Sequence, residues 1–210
     1  MFLDNLDADD MKFESPEAKA EFIARREWQA MLDAMPLDTV AQMSERLARS
    51  GSEYRPGLMA TWFREGRLTG KDAAALLRDE WATTDYIRPH RDDLLAMFEA
   101  AVAATGGPIT DAPRRVNIKP RVLTVYRGTN IYEFDEPVER IGISWTTNRK
   151  VAAYFLTDRM HRGEDEEDKC ILRGRIASEH VLGYFFKRKE SEIVLDPRRL
   201  VDLRLIETPS

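Results

Sequence analysis

The chain has 210 residues, 43% of them hydrophobic and 33% charged; it is long enough for one large core or two small ones and too apolar for a disordered chain. Its formal net charge of −5 argues against a general polyanion-binding surface, and its single cysteine, Cys170, excludes an internal disulfide and a Cys-based zinc site. Residues 1–112 carry 13 Lys and Arg against 21 Asp and Glu, a net of −8; residues 113–210 carry 19 against 16, a net of +3. An acidic front and a mildly basic back indicate two units with different surfaces.

Residues 1–16 read as an acidic arm without the basic-then-apolar pattern of a secretion signal, and no apolar run approaches membrane-spanning length. The expected location is cytoplasmic. From 17 to 107 the periodicity is helical. Phe22, Trp28, Met31, Leu32 and Met35 line a first helix that Pro36 closes. Val40, Met43 and Leu47 mark a second, and Leu58, Met59, Trp62 and Phe63 a short third. Thr69 and Asp72 form a capping box for a fourth, carrying Ala73, Leu76, Leu77 and Trp81. Leu94, Leu95, Phe98 and Val102 give a fifth, stopped by Gly106-Gly107-Pro108. Aromatic residues at this spacing are read as core, so this half is expected to be a small helical bundle. Gly66 to Asp72 is one residue too short for a phosphate loop, and His90 has no second ligand at metal spacing. No metal site is expected.

Residues 108–120 read as a linker, after which the period becomes strand-like. Strands are expected at 122–126, 141–147, 170–177, 181–186, 191–195 and 200–206. Asn148 caps a helix carrying Val151, Ala152 and Phe155. The acidic run 164–168 reads as a solvated loop and Cys170 as a buried strand residue. Six short strands with one helix among them imply a mostly antiparallel sheet. The fold class is therefore α+β, a helical bundle at 17–107 followed by a mixed-sheet domain at 121–210.

Three polar features of the second half suggest chemistry. Arg127 follows a buried strand and precedes Gly128, which would let a ligand approach the backbone; a guanidinium so held suits phosphate. Ser144 and Thr146 sit two apart on a strand, with hydroxyls on one face. Glu190 and Glu192 also lie two apart, so on a strand both carboxylates share a face while Ser191 looks away. A glutamate can stabilise positive charge developing at an anomeric carbon, as in glycosidic cleavage. Taken singly, each has a plainer reading: an ion-pair arginine, an ordinary strand serine, a solvated glutamate.

The order of these parts resembles the Arg–Ser–Glu class of the mono-ADP-ribosyltransferase fold family. The marks are Val125-Tyr126-Arg127-Gly128, then Ser144-Trp145-Thr146, then a helix with Ala152 and Phe155, then Glu190-Ser191-Glu192 before an aliphatic strand. The resemblance covers about residues 121–207. It implies that NAD is the substrate, that Arg127 binds its phosphates and that Ser144 supports the nicotinamide-ribose site. Tyr126, Gly128, Trp145, Thr146 and Phe155 would complete the NAD pocket. Glu192 would be the catalytic glutamate, and Glu190 would engage an acceptor arginine. The turn Tyr184, Phe185, Phe186, Lys187, Arg188 and Lys189 would recognise the acceptor. Trp145 and Thr146 depart from the family's Ser-Thr-Ser, and a Lys-Arg-Lys turn suits a phosphate-bearing acceptor better than a cationic one.

The resulting expectation is an NAD-dependent ADP-ribosyltransferase, with possible NAD glycohydrolase activity, acting most readily on protein arginine. Modification of RNA or DNA, and a non-catalytic interaction protein on the same fold, are the alternatives. The helical half would bind a partner or substrate. By analogy with the family, the chain would be a bacterial or phage effector, working in a host cytoplasm in the latter case.

Overall fold

In the computed structural model, residues 13–112, 121–156 and 169–207 are described. Most of the acidic arm, most of the expected linker and the acidic run 164–168 lie outside the described residues. The chain divides into two compact units, 1–49 and 50–210.

The first unit holds α1 (Pro16–Asp33) and α2 (Val40–Arg49). Ser15 starts α1 by accepting the Ala18 amide at 3.1 Å, and Pro16 occupies the first turn, where its missing N–H costs nothing. The expected core stripe on α1 is only partly buried. Leu32 is covered, whereas Trp28 and Met31 are 47% and 39% exposed. On α2, Met43 and Leu47 are buried as their spacing predicts. Asp33 at the end of α1 pairs with Arg46 of α2 at 2.7 Å.

The second unit opens with α3 (Arg55–Arg64), α4 (Gly70–Glu80) and α5 (Arg91–Thr105). The Thr69–Asp72 capping box is present, and the Thr69 hydroxyl and amide hold the Asp72 carboxyl below its usual pKa. Gly106, in the left-handed region at φ 73°, ends α5. A β-carbon on Gly70 would lie 2.7 Å from the Ala100 carbonyl, so α4 and α5 pack closely there.

After α5 come β1 (Ile109–Thr110), β2 (Val122–Asn130), α6 (Ile131–Asp135), β3 (Ser144–Thr146), α7 (Arg149–Tyr154), β4 (Lys169–Ala177), β5 (Val181–Phe185), β6 (Glu192–Leu195) and β7 (Val201–Glu207). The described residues thus make a mixed α/β protein with seven α-helices and one seven-stranded sheet, ordered β1-β5-β6-β3-β2-β4-β7. Every neighbouring pair is antiparallel except β1 and β5.

Two expectations are corrected here. The expected strand at 141–147 pairs only over Ser144–Thr146, because the backbone of Ile141 and Gly142 is engaged by the Arg91, Glu133 and Trp145 side chains instead. The expected linker contains β1, which adds a seventh, parallel strand. The compact units accordingly divide at 49/50 and not at 108–120. The reason is apolar. Trp81 and Phe98 meet edge-on with centroids 4.8 Å apart, and both rings lie 6.2 Å from Phe185 of β5. Gly183 leaves room for this: a β-carbon there would sit 3.0 Å from Phe98.

Cross-strand register assigns the two faces of the sheet, since directly paired residues point the same way. One face carries Leu123, Val125, Trp145, Leu172, Ile193 and Leu195, all within one buried cluster. The other carries the partners Phe185, Glu192, Thr146, Tyr126, Arg173 and Arg204, one from each strand from β5 to β7. On this second face α7 lies over β2: a β-carbon on Gly128 would fall 2.1 Å from the Ala152 carbonyl.

Candidate active site

Glu192 is the first residue of β6, and two side chains from elsewhere in the chain converge on it. The Ser144 hydroxyl on β3 donates to Glu192 Oε1 at 2.6 Å. The Trp81 indole N–H, just past α4, donates to the same oxygen at 2.9 Å. Ser144 reaches it because β3 pairs with β6 in a register that sets Thr146 opposite Glu192, leaving Ser144 on the same face one step along. One carboxylate oxygen is thereby fixed, while no described residue bonds the other. Burial pushes the Glu192 carboxyl up to about 7, against the pull of the Ser144 and Trp81 hydrogen bonds and aided by the charges of Glu190 and Asp111. A carboxylate with one oxygen locked, one open and a pKa near neutrality can stabilise a developing cation or move a proton.

Glu190 does not share a strand face with Glu192. The strand begins only at Glu192, because Lys189 and Ser191 both adopt positive φ, 57° and 47°. Glu190 instead belongs to the preceding turn, where its carboxylate faces Arg188 Nε at 3.5 Å. Its carbonyl accepts the Thr146 hydroxyl at 2.5 Å, and that same hydroxyl oxygen accepts the Asn148 amide at 3.0 Å. Thr146, buried, thus ties the turn to α7 and has no hydroxyl proton left to donate to a ribose.

Arg127 stands elsewhere. Tyr126 pairs with Thr146, so Arg127 and Trp145 project from the opposite face to Ser144 and Glu192. The guanidinium is 17% exposed and pairs with Glu133 of α6 at 3.1 Å, and its Nη1 donates to the Ser144 carbonyl at 2.8 Å. Gly142 makes room, since a β-carbon there would lie 2.3 Å from the guanidinium. Glu133 also accepts from the Thr129 hydroxyl and the Gly142 amide. Burial raises its pKa, but Arg127 and these donors outweigh that and hold it below the usual range. The arginine expected to bind phosphate is engaged in a partly buried ion pair that ties β2, α6 and the approach to β3 together.

Other expected pocket residues also take structural places. Trp145 is buried in the first-face cluster and donates to the Gly142 carbonyl at 2.8 Å. Gly128 admits α7 rather than a ligand. Phe155, at the end of α7, rests against Tyr154. Tyr126 packs beside the Ala152, Leu156 and Ile171 cluster on the Glu192 face. In the expected acceptor turn, Phe185 is buried among Trp81 and Phe98. Tyr184 lies against the first-face core, with the Phe186 ring meeting it edge-on at a centroid distance of 4.3 Å. The Phe186 and Lys187 amides both donate to Asp111 at 2.9 Å, which pins the turn. Lys187 and Lys189 are exposed, and Arg188 sits between Glu190 and, at 3.8 Å, Asp85.

Two residues of the site were missed by sequence reasoning. Trp81 was assigned to core alone, and nothing local marks it as a donor to a residue 111 positions away. Glu133 carried a weak signal: a carboxylate on the first turn of a helix capped by Asn130, six residues after the arginine it neutralises. Surface hollows are lined by Arg173, Arg175, Asp202, Leu203 and Arg204, and by the residues around His90 and Arg140; neither borders Arg127, Ser144 or Glu192. Cys170 is buried as expected, and burial raises its thiol to about 11. No described helix is long and apolar enough to cross a membrane. No family model, curated protein or solved structure matches this chain.

Proposed function

We propose that this chain is a mono-ADP-ribosyltransferase that breaks the nicotinamide–ribose bond of NAD and passes ADP-ribose to a protein arginine, with Glu192 as the catalytic carboxylate. The observation that carries the reading is Glu192 held at one oxygen by Ser144 and Trp81 and open at the other. The glycosidic electron pair leaves with nicotinamide, and C1′ becomes cationic. Ionised Glu192, facing the ribose 2′-hydroxyl through its open oxygen, stabilises that charge. An acceptor guanidine nitrogen then attacks C1′ and loses a proton, or water attacks and ADP-ribose is released. Glu190, on the adjacent turn, provides the charge that would hold an incoming guanidinium. Arg127 supports the site only by holding the backbone of β3, the strand that presents Ser144.

A second acceptor class has one observation in its favour: Lys187 and Lys189 are exposed beside Glu190, and cations there suit a nucleic-acid phosphate. One experiment addresses both. Purified protein with NAD is expected to release nicotinamide, and Glu192→Gln to abolish release. A lysate incubated with labelled NAD is expected to retain label after nuclease and lose it after protease. Label lost to nuclease would move the acceptor to nucleic acid, and absence of nicotinamide release by wild type would refute the enzyme reading.

A further inference from the structure

Beyond the footprint of α7, the second face of the sheet carries a group of arginines on β4 and β7. Ala152 and Leu156 cover Ile171 of β4, with Ile206 of β7 packed beside them. The next side chains on that face are Arg173 of β4 and Arg204 of β7, which pair directly. Like charges directly opposite on an antiparallel pair destabilise it unless something compensates them. Neither guanidinium makes an ion pair among the described residues, and Arg173 is partly buried, where solvent and salt screen charge less. Arg175 follows on the same face, and its guanidinium holds the Asp202 carboxylate at 2.8 Å. While β4 advances from Arg173 to Arg175, β7 runs from Arg204 back to Val201, so Asp202, at φ 54°, belongs to a bulge in β7. Beside the bulge lies a hollow of about 460 Å³ lined by Arg173, Arg175, Asp202, Leu203 and Arg204.

The geometry points to this hollow as a binding site for the phosphate group of a small phosphomonoester. It is separate from the Glu192 site and does not rest on the NAD reading: α7 and the buried Thr146 lie between the two, and Glu192 does not line the hollow. Charge selects the ligand. Three arginines against one aspartate leave a surplus of two positive charges, and a phosphomonoester carries about −2 at neutral pH. Shape agrees with charge. Arg173 and Arg204 come from different strands, and each guanidinium presents a planar fork of donors. The three oxygens of a phosphate can accept from both forks, whereas the two of a carboxylate satisfy one. Binding also removes the repulsion between the paired arginines. A cavity of this size lies within the range of small-molecule sites and leaves room for the group that carries the phosphate. Since β7 is the last strand of the sheet, that group can enter from the sheet edge.

The test uses the full chain and the Arg173→Gln/Arg204→Gln variant, with inorganic phosphate and AMP as probes in calorimetry. Both are expected to bind wild type, AMP no more weakly than phosphate, and to bind the variant at least tenfold more weakly. Acetate is expected to bind wild type at least tenfold more weakly than phosphate. The single change Arg204→Gln, at an exposed residue, keeps the test readable should the double variant not fold, and is expected to weaken phosphate at least threefold. Thermal melting needs no variant: phosphate should raise the wild-type melting temperature above its value in chloride of equal ionic strength. No phosphate binding by wild type, or affinities of wild type and double variant within twofold of each other, would overturn the site. Acetate bound as tightly as phosphate would reduce the hollow to a general anion patch and overturn the phosphate assignment. AMP shut out while phosphate binds would overturn the phosphomonoester. An oligonucleotide without a terminal phosphate, held more tightly than AMP by the same arginines, would overturn a small molecule as occupant.

Discussion

Replacing Glu192 by Gln keeps the shape of the side chain and an acceptor oxygen for Ser144 and Trp81, and removes only the ability to ionise. In the folded protein burial holds the carboxyl proton up to about 7, against an ordinary 4.5. Folding therefore favours the protonated form. The stability this brings is fully present below pH 4.5, where both states carry the proton, and is lost as pH rises through 7. Glutamine suffers no such loss. The variant should gain about 1 kcal/mol over wild type at pH 5 and roughly 3 kcal/mol at pH 8. Urea unfolding of both proteins at those two pH values measures the difference. The same variant should release no nicotinamide, so it would be more stable and inactive. A stability difference that does not change between pH 5 and pH 8, or a variant weaker than wild type at pH 8, would refute the account of Glu192 as a buried, reluctantly ionised acid.

Ser144→Ala removes a donor that favours the ionised form of Glu192, so the pH profile of nicotinamide release should move to higher pH; an unmoved profile would show that Ser144 does not act through the acid. Arg127→Ala should cost about 3–5 kcal/mol in unfolding experiments, because Glu133 is left charged and buried. A second change of Glu133 to Gln should recover part of that loss, and full stability of the single variant would contradict the ion pair. Gly128→Ala places a methyl 2.1 Å from the Ala152 carbonyl and should destabilise by about 1–3 kcal/mol; a variant as stable as wild type would show that α7 is not seated there.

The sequence by itself determined the elements whose signals are local. Thr69 with Asp72, Asn148, and Gly106 mark helix ends through hydrogen bonds and dihedrals spanning only a few residues, and all three stand where their spacing puts them. Aliphatic runs located the strands, and Ser144 and Glu192, placed in one site by the family resemblance, do meet in a hydrogen bond. Only the tertiary structure decided which face each side chain took. Side-chain direction alternates every residue, so the pairing of Tyr126 with Thr146 sends Arg127 away from Glu192 and leaves Arg173 on its side. Trp81 and the strand at Ile109 were likewise decided by partners far along the chain, because burying three aromatic rings together outweighs anything their immediate neighbours specify.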